Sequence, residues 1–122
     1  MVLCDEVLHD PQSDKAHLMG VFNAIRPQNN PAFPHRHPEF SVFLQLTDAD
    51  GEALGQIVAR EASSGQAIFA SRPHRIEFLD RLQVKWVHFR LRDCPFPKPG
   101  LYWVQFACNG QILSDQPLSL LR

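Results

Sequence analysis

The residues of this chain best suited to chemistry lie in one short run, His35-Arg36-His37-Pro38-Glu39. In an extended backbone positions 35, 37 and 39 project to the same side, so two imidazoles and a carboxylate could meet one divalent metal. Elsewhere such groups are scattered. Cys94 precedes Pro95 in a turn-like stretch with no helix N-terminus foreseen to lower its pKa, and Cys4 and Cys108 sit in apolar-rich segments as small core residues. Ser63-Ser64-Gly65 lacks the G-x-S-x-G context of a nucleophile elbow, and there is no glycine-rich phosphate loop. Asp48, Asp50 and Glu52 alternate around Gly51, but the run is too short for an EF-hand loop, so a solvated turn is expected.

A second group of residues suggests a surface rather than a pocket. By the period of two, Leu82–Arg92 puts Lys85, Val87, Phe89 and Leu91 on one face and Val84, Trp86, His88, Arg90 and Arg92 on the other. Leu101–Cys108 likewise separates Tyr102, Val104, Phe106 and Cys108 from Leu101, Trp103, Gln105 and Ala107. If these strands pair across the Cys94–Gly100 corner, Trp86, His88, Arg90 and Trp103 gather on one water-facing side, with Arg90 near Trp103. Tryptophan and arginine dominate binding hot spots, so the face suggests a homodimer or a partner-protein interface. The plainer alternatives are that Arg90 merely covers Trp103, or that Ala62–Arg75 lies over the face.

The elements that would position these groups are short. Ten prolines and six glycines punctuate the chain into strand-length segments, the pattern of a sandwich or barrel. Val2–Leu8 and Leu18–Asn23 read as a hairpin. Ala24–Pro38, with Pro27, Pro31, Pro34 and Pro38, reads as a long surface connection, because proline cannot give an N–H to a ladder. Glu39–Thr47 is the clearest strand, with Phe40, Val42, Leu44 and Leu46 on one face. Glu52–Ala62 fits helical spacing in part but is read as a strand from its surroundings. Gln66–Ala70, His74–Leu79, Leu82–Arg92, Leu101–Cys108 and Gln111–Leu121 complete the set, with Asn109-Gly110 marking a type I′ hairpin turn and Pro117 a bulge or an edge. Seven to nine strands without a long helix predict an all-β, antiparallel two-sheet sandwich of immunoglobulin-like or related topology.

This register bears on the histidines. With Phe40, Val42, Leu44 and Leu46 facing the core, Glu39 points outward, and so do His35 and His37 if the strand geometry continues back through Pro38. The run resembles the H-x-H…E metal-ligand set of cupins. It departs from that pattern in the spacing before Glu39 and in having Asn29 where a glycine would stand. A cupin metal also sits inside its barrel, whereas these residues are expected outside, in a solvated, proline-stiffened loop.

Composition narrows the classes further. At 122 residues the chain is expected to form one domain, 1–122, able to fold without a staple or a metal. Its 12 basic and 13 acidic residues give a net charge of −1, which favours neither nucleic acid nor anionic membrane. Three cysteines without a C-x-x-C pair argue against a disulfide framework or a thiolate zinc site and point to a reducing cytoplasm. Met1–Leu8 carries Asp5 and Glu6 and lacks the make-up of a signal peptide.

Cys4-Asp5, Lys15, Leu18, Gly20, Phe22, Phe33-Pro34, His37-Pro38 and Phe40 form a recognisable pattern, continued by Phe96-Pro97, Gly100, Tyr102, Asn109-Gly110 and Pro117-Leu118. Together they resemble a family of short uncharacterised bacterial proteins over nearly the whole chain, from near Leu3 to near Leu121. The resemblance implies a β-sandwich and brings no activity, cofactor or active-site residue. The reading is a small non-catalytic binding or protein-interaction module of a bacterial cytoplasm, without a cofactor. The alternative is a metal-dependent, cupin-like enzyme using His35, His37 and Glu39.

Overall fold

The computed structural model describes Met1 to Arg122. It contains ten strands and no helix: β1 (Val2–Asp10), β2 (Lys15–Val21), β3 (Ala24–Ile25), β4 (His35–Leu46), β5 (Gly51–Glu61), β6 (Ala67–Ala70), β7 (His74–Phe78), β8 (Lys85–Phe96), β9 (Gly100–Cys108) and β10 (Gln111–Leu120). The count exceeds the expected seven to nine by one strand, and another strand starts earlier than expected. Ala24–Ile25, expected in a connection, forms a short strand, and β4 begins at His35 rather than Glu39. One sheet has the order β2-β1-β4-β8, the other β3-β10-β9-β5-β6, with β7 extending β6 along the same side of β5. The two sheets stay separate, forming a sandwich rather than a closed barrel.

Alternation builds the core, as the period of two requires. Phe40, Val42 and Leu44 from β4 and Val87, Phe89 and Leu91 from β8 face Ile57 from β5, Tyr102, Val104 and Phe106 from β9, and Leu118 and Leu120 from β10. Leu46 packs half-buried at the rim of the same cluster. Each such burial is worth about 2 kcal/mol. The turns obey their residue chemistry. Asn109 and Gly110 both take positive φ, 50° and 81°, as a type I′ hairpin needs. Asp10 accepts from the Gln12 backbone N–H and the Ser13 hydroxyl to fold the β1–β2 hairpin.

The strand order β1-β4-β8 opposite β10-β9-β5-β6 matches A-B-E opposite G-F-C-C′ in an immunoglobulin-like sandwich. A buried tyrosine supports the assignment. After Phe96 the chain leaves one sheet, crosses Pro97-Lys98-Pro99, and enters the other at Gly100. There the fully buried Tyr102 donates its hydroxyl to the Lys98 carbonyl at 2.6 Å and accepts from the Lys98 N–H at 3.3 Å, forming a tyrosine corner. Val104, buried two residues on, occupies the place of the second cysteine of antibody domains, and Cys4, Cys94 and Cys108 are all free thiols. The crossing also corrects one expectation: β8 and β9 do not pair but lie in different sheets.

The corner supplies a measurable share of stability. Tyr102→Phe keeps the ring and removes the hydroxyl, which should cost about 1–2 kcal/mol. Urea unfolding of both proteins checks this, and an unchanged midpoint would show the corner to be energetically idle.

Candidate functional site

The β4–β8 pair positions most of the residues with chemical potential. Its register is uniform from His35↔Phe96 to Leu46↔Lys85, yet its facing is not. Phe40 opposite Leu91 points inward, Glu39 opposite Arg92 is exposed, and one rung on, Pro38 lies opposite Asp93, both exposed as well. Beyond that rung His35, Cys94 and Phe96 are buried. Pro38 has no N–H for the ladder, and Asp93 takes the left-handed backbone at φ 53°, its carbonyl accepting from Arg36 at 3.1 Å. Both strands therefore reverse their inward side together.

The reversal overturns the expectation that both histidines face water. His35 is 8% exposed and stacked on Phe96, and His37 is half-buried against Phe22 and Phe40. His35 Nε2 and His37 Nδ1 are 3.1 Å apart, so one ring donates to the other. The buried His35 Nδ1 has no partner. Donation from His35 to His37 leaves only an unused acceptor there, whereas the reverse tautomer would bury an orphan N–H, so the first is favoured. Beside the pair lies a hollow of about 180 Å³ lined by Asp5, Phe22, Ala24, Ile25 and His37. Gly20 makes room for the acidic member, since a Cβ there would stand 2.2 Å from the Asp5 carboxylate. Burial lowers the pKa of both imidazoles. For His37 the neighbouring His35 adds to the lowering, and Asp5 opposes it.

Glu39 takes no part in this pair. Its carboxylate lies on the other side of the strand, 3.0 Å from Arg90 Nε. The three residues of the cupin-like set are thus not brought together, and no three His, Cys, Asp or Glu side chains converge as metal ligands. Cys94, expected in a turn, is instead buried inside β8, and burial pushes its thiol up to about 12 against the pull of Arg36.

On the outer face of β4 and β8 three diagonal pairs follow one another. Phe43 packs on Trp86 with ring centroids 5.8 Å apart, Ser41 Oγ and His88 Nε2 are hydrogen-bonded at 2.9 Å, and Glu39 pairs with Arg90. Each joins a β4 residue to the β8 residue two places from its direct partner, within reach of long side chains. Trp86, His88 and Arg90 therefore share one face as expected, and Trp86 keeps 42% of its surface exposed. Trp103 does not join them. It lies half-buried in β9, in the other sheet, between Arg60 and Pro117. Sequence reasoning missed the inward histidines, and the signal for them was Pro38 itself, a residue that interrupts any ladder it enters.

Two comparisons bear on identity. The model of a family described as a family of unknown function (DUF6941) matches residues 1–121. No curated protein matches the chain.

The imidazoles give stability a defined pH dependence. His35, His37 and His88 all titrate below their ordinary value of 6.5 in the fold, His88 through burial and then the charge of Arg90. On acidification the unfolded chain takes up these protons first, so stability is complete above that value and falls as pH drops from it toward the lowered folded values. The urea midpoint should decrease from about pH 7.5 to about pH 5.5, and less steeply in His37→Gln. A wild-type midpoint that is flat or rises over this range would contradict the account.

Proposed function

The chain belongs to this family of unknown function, DUF6941, and we propose that it acts as a small, non-catalytic binding module that engages a partner protein through the β8 side of its four-stranded sheet. The observation that carries the reading is the ladder of Phe43–Trp86, Ser41–His88 and Glu39–Arg90. Each β8 side chain is held in place by a β4 neighbour, so docking would cost little further side-chain ordering. An aromatic ring and a guanidinium are the types that anchor interfaces. In the segment leading into β8, Leu79, Leu82 and Val84 are also exposed, Leu82 at 92%.

The non-catalytic part of the reading rests on what the reactive groups are doing. Glu39 is committed to Arg90, the Cys94 thiol is held protonated, and His35 and His37 are hydrogen-bonded to each other. Free thiols at Cys4, Cys94 and Cys108 suit a reducing cytoplasm, and the sequence resemblance suggests a bacterial one. The chain has no helix long and apolar enough to cross a membrane.

Site-specific photo-crosslinking in cells tests the reading. Trp86→p-benzoylphenylalanine is expected to yield a discrete adduct that Arg90→Glu abolishes, while the same probe at Trp103, on the opposite sheet, yields none. Identical adducts from both positions, or none from Trp86, would refute it.

A further inference from the structure

The four-stranded sheet ends at β8. In the immunoglobulin-like order a strand D lies beyond E, but here the β6–β7 segment pairs with β5 in the other sheet instead. Along its outer side β8 therefore has no ladder neighbour, and the amides and carbonyls directed there have no backbone partner. Between this edge and the Ser71-Arg72-Pro73 link runs a groove of about 440 Å³. It is lined by the half-buried Phe69 and the edge of the core residue Phe89, on which His74 packs, together with Arg72, His88 and Arg90, and no acidic residue lines it. Arg75 is taken by Glu52 and Arg90 by Glu39, but Arg72 and Arg92 have no ion-pair partner.

The geometry points to strand addition: an extended peptide segment of alternating acidic and apolar residues pairs with β8 as the missing strand. This rests on the binding-module reading and names its ligand. An unpaired strand edge is a template for another chain, and the period of two lets one side of the incoming strand meet Phe69 and Phe89 while its carboxylates meet Arg72 and Arg92. Charge selects the occupant. Two copies of β8 pairing antiparallel would bring Arg90 and Arg92 of one copy beside those of the other, and like charges opposed across a ladder repel. An acidic segment turns each of these repulsions into an attraction. The usable edge runs from Lys85 to Arg92, because the left-handed Asp93 and then Pro95 end it.

The test is a titration of the ¹⁵N-labelled full chain with an end-blocked peptide of alternating glutamate and valine. Saturable shifts and slowed amide exchange are expected along Lys85–Arg92 and not along β2, the opposite edge of the same sheet. The Arg72→Glu, Arg92→Glu double variant, whose sites are exposed and unpaired, should weaken binding about tenfold. Methylating alternate peptide nitrogens on the β8-facing side should abolish it. Binding indifferent to that methylation, or equal binding of a lysine-for-glutamate peptide, would overturn strand addition. So would no binding at all. A Trp86 adduct that persists in that case leaves the binding module standing, whereas loss of the adduct removes both, and an adduct of twice the chain mass would make the partner a second copy and defeat the acidic-strand assignment.

Discussion

Pro38 and Asp93 face each other across the β4–β8 ladder, and the missing N–H of one with the left-handed backbone of the other decides where everything beyond them points. The pairing lapses at that rung but the register is the same on either side of it, so the two strands turn over as a unit rather than slipping. On one side of it the sheet presents Phe40, Val42 and Leu44 to the core and Glu39 to water. On the other it sends His35, Cys94 and Phe96 inward. The separation of Glu39 from His35 and His37, the depressed pKa values of those two imidazoles and the silent Cys94 thiol all descend from this one irregularity.

The tyrosine corner is the second constraint, acting between sheets rather than within one. By holding Lys98 against Tyr102 it carries the chain from β8 in one sheet to β9 in the other, which places Trp86 and Trp103 on opposite sides of the sandwich. The same crossing leaves β8 at the margin of its sheet, since β6 and β7 are already committed to β5. An exposed margin is ordinarily a hazard, blunted by charge or proline. On the strand-addition proposal, the unpaired cations Arg72 and Arg92 both disfavour a second copy and define what the margin admits.

Much of the architecture was legible from periodicity and turn chemistry. The alternation in Phe40–Leu44 and the Asn109-Gly110 turn follow from local rules that the rest of the fold does not override, whereas Gly51–Glu61, locally ambiguous, is a strand because its all-β surroundings pair it on both sides. The site was legible only in part. Trp86, His88 and Arg90 share a face because they share a strand, which a single period determines. Trp103 is misplaced by the same reasoning, because pairing between neighbouring strands is a property of the connection, and the Lys98–Tyr102 contact is tertiary. The histidines are misplaced because extrapolating alternation assumes regular backbone, and Pro38 and Asp93 are where regularity stops. A proline in a chain otherwise reading as strand is a warning about facing as well as about pairing.

The three-rung ladder on the outer face has a consequence of its own. Its rungs are held by different forces, so they respond to different conditions. Added salt screens Glu39–Arg90 and leaves the other two untouched. Acid charges the imidazole of Ser41–His88 and so fixes His88 as the donor to the Ser41 hydroxyl, and chilling loosens Phe43–Trp86, whose attraction is largely hydrophobic. Such a surface answers each solvent variable at a different rung.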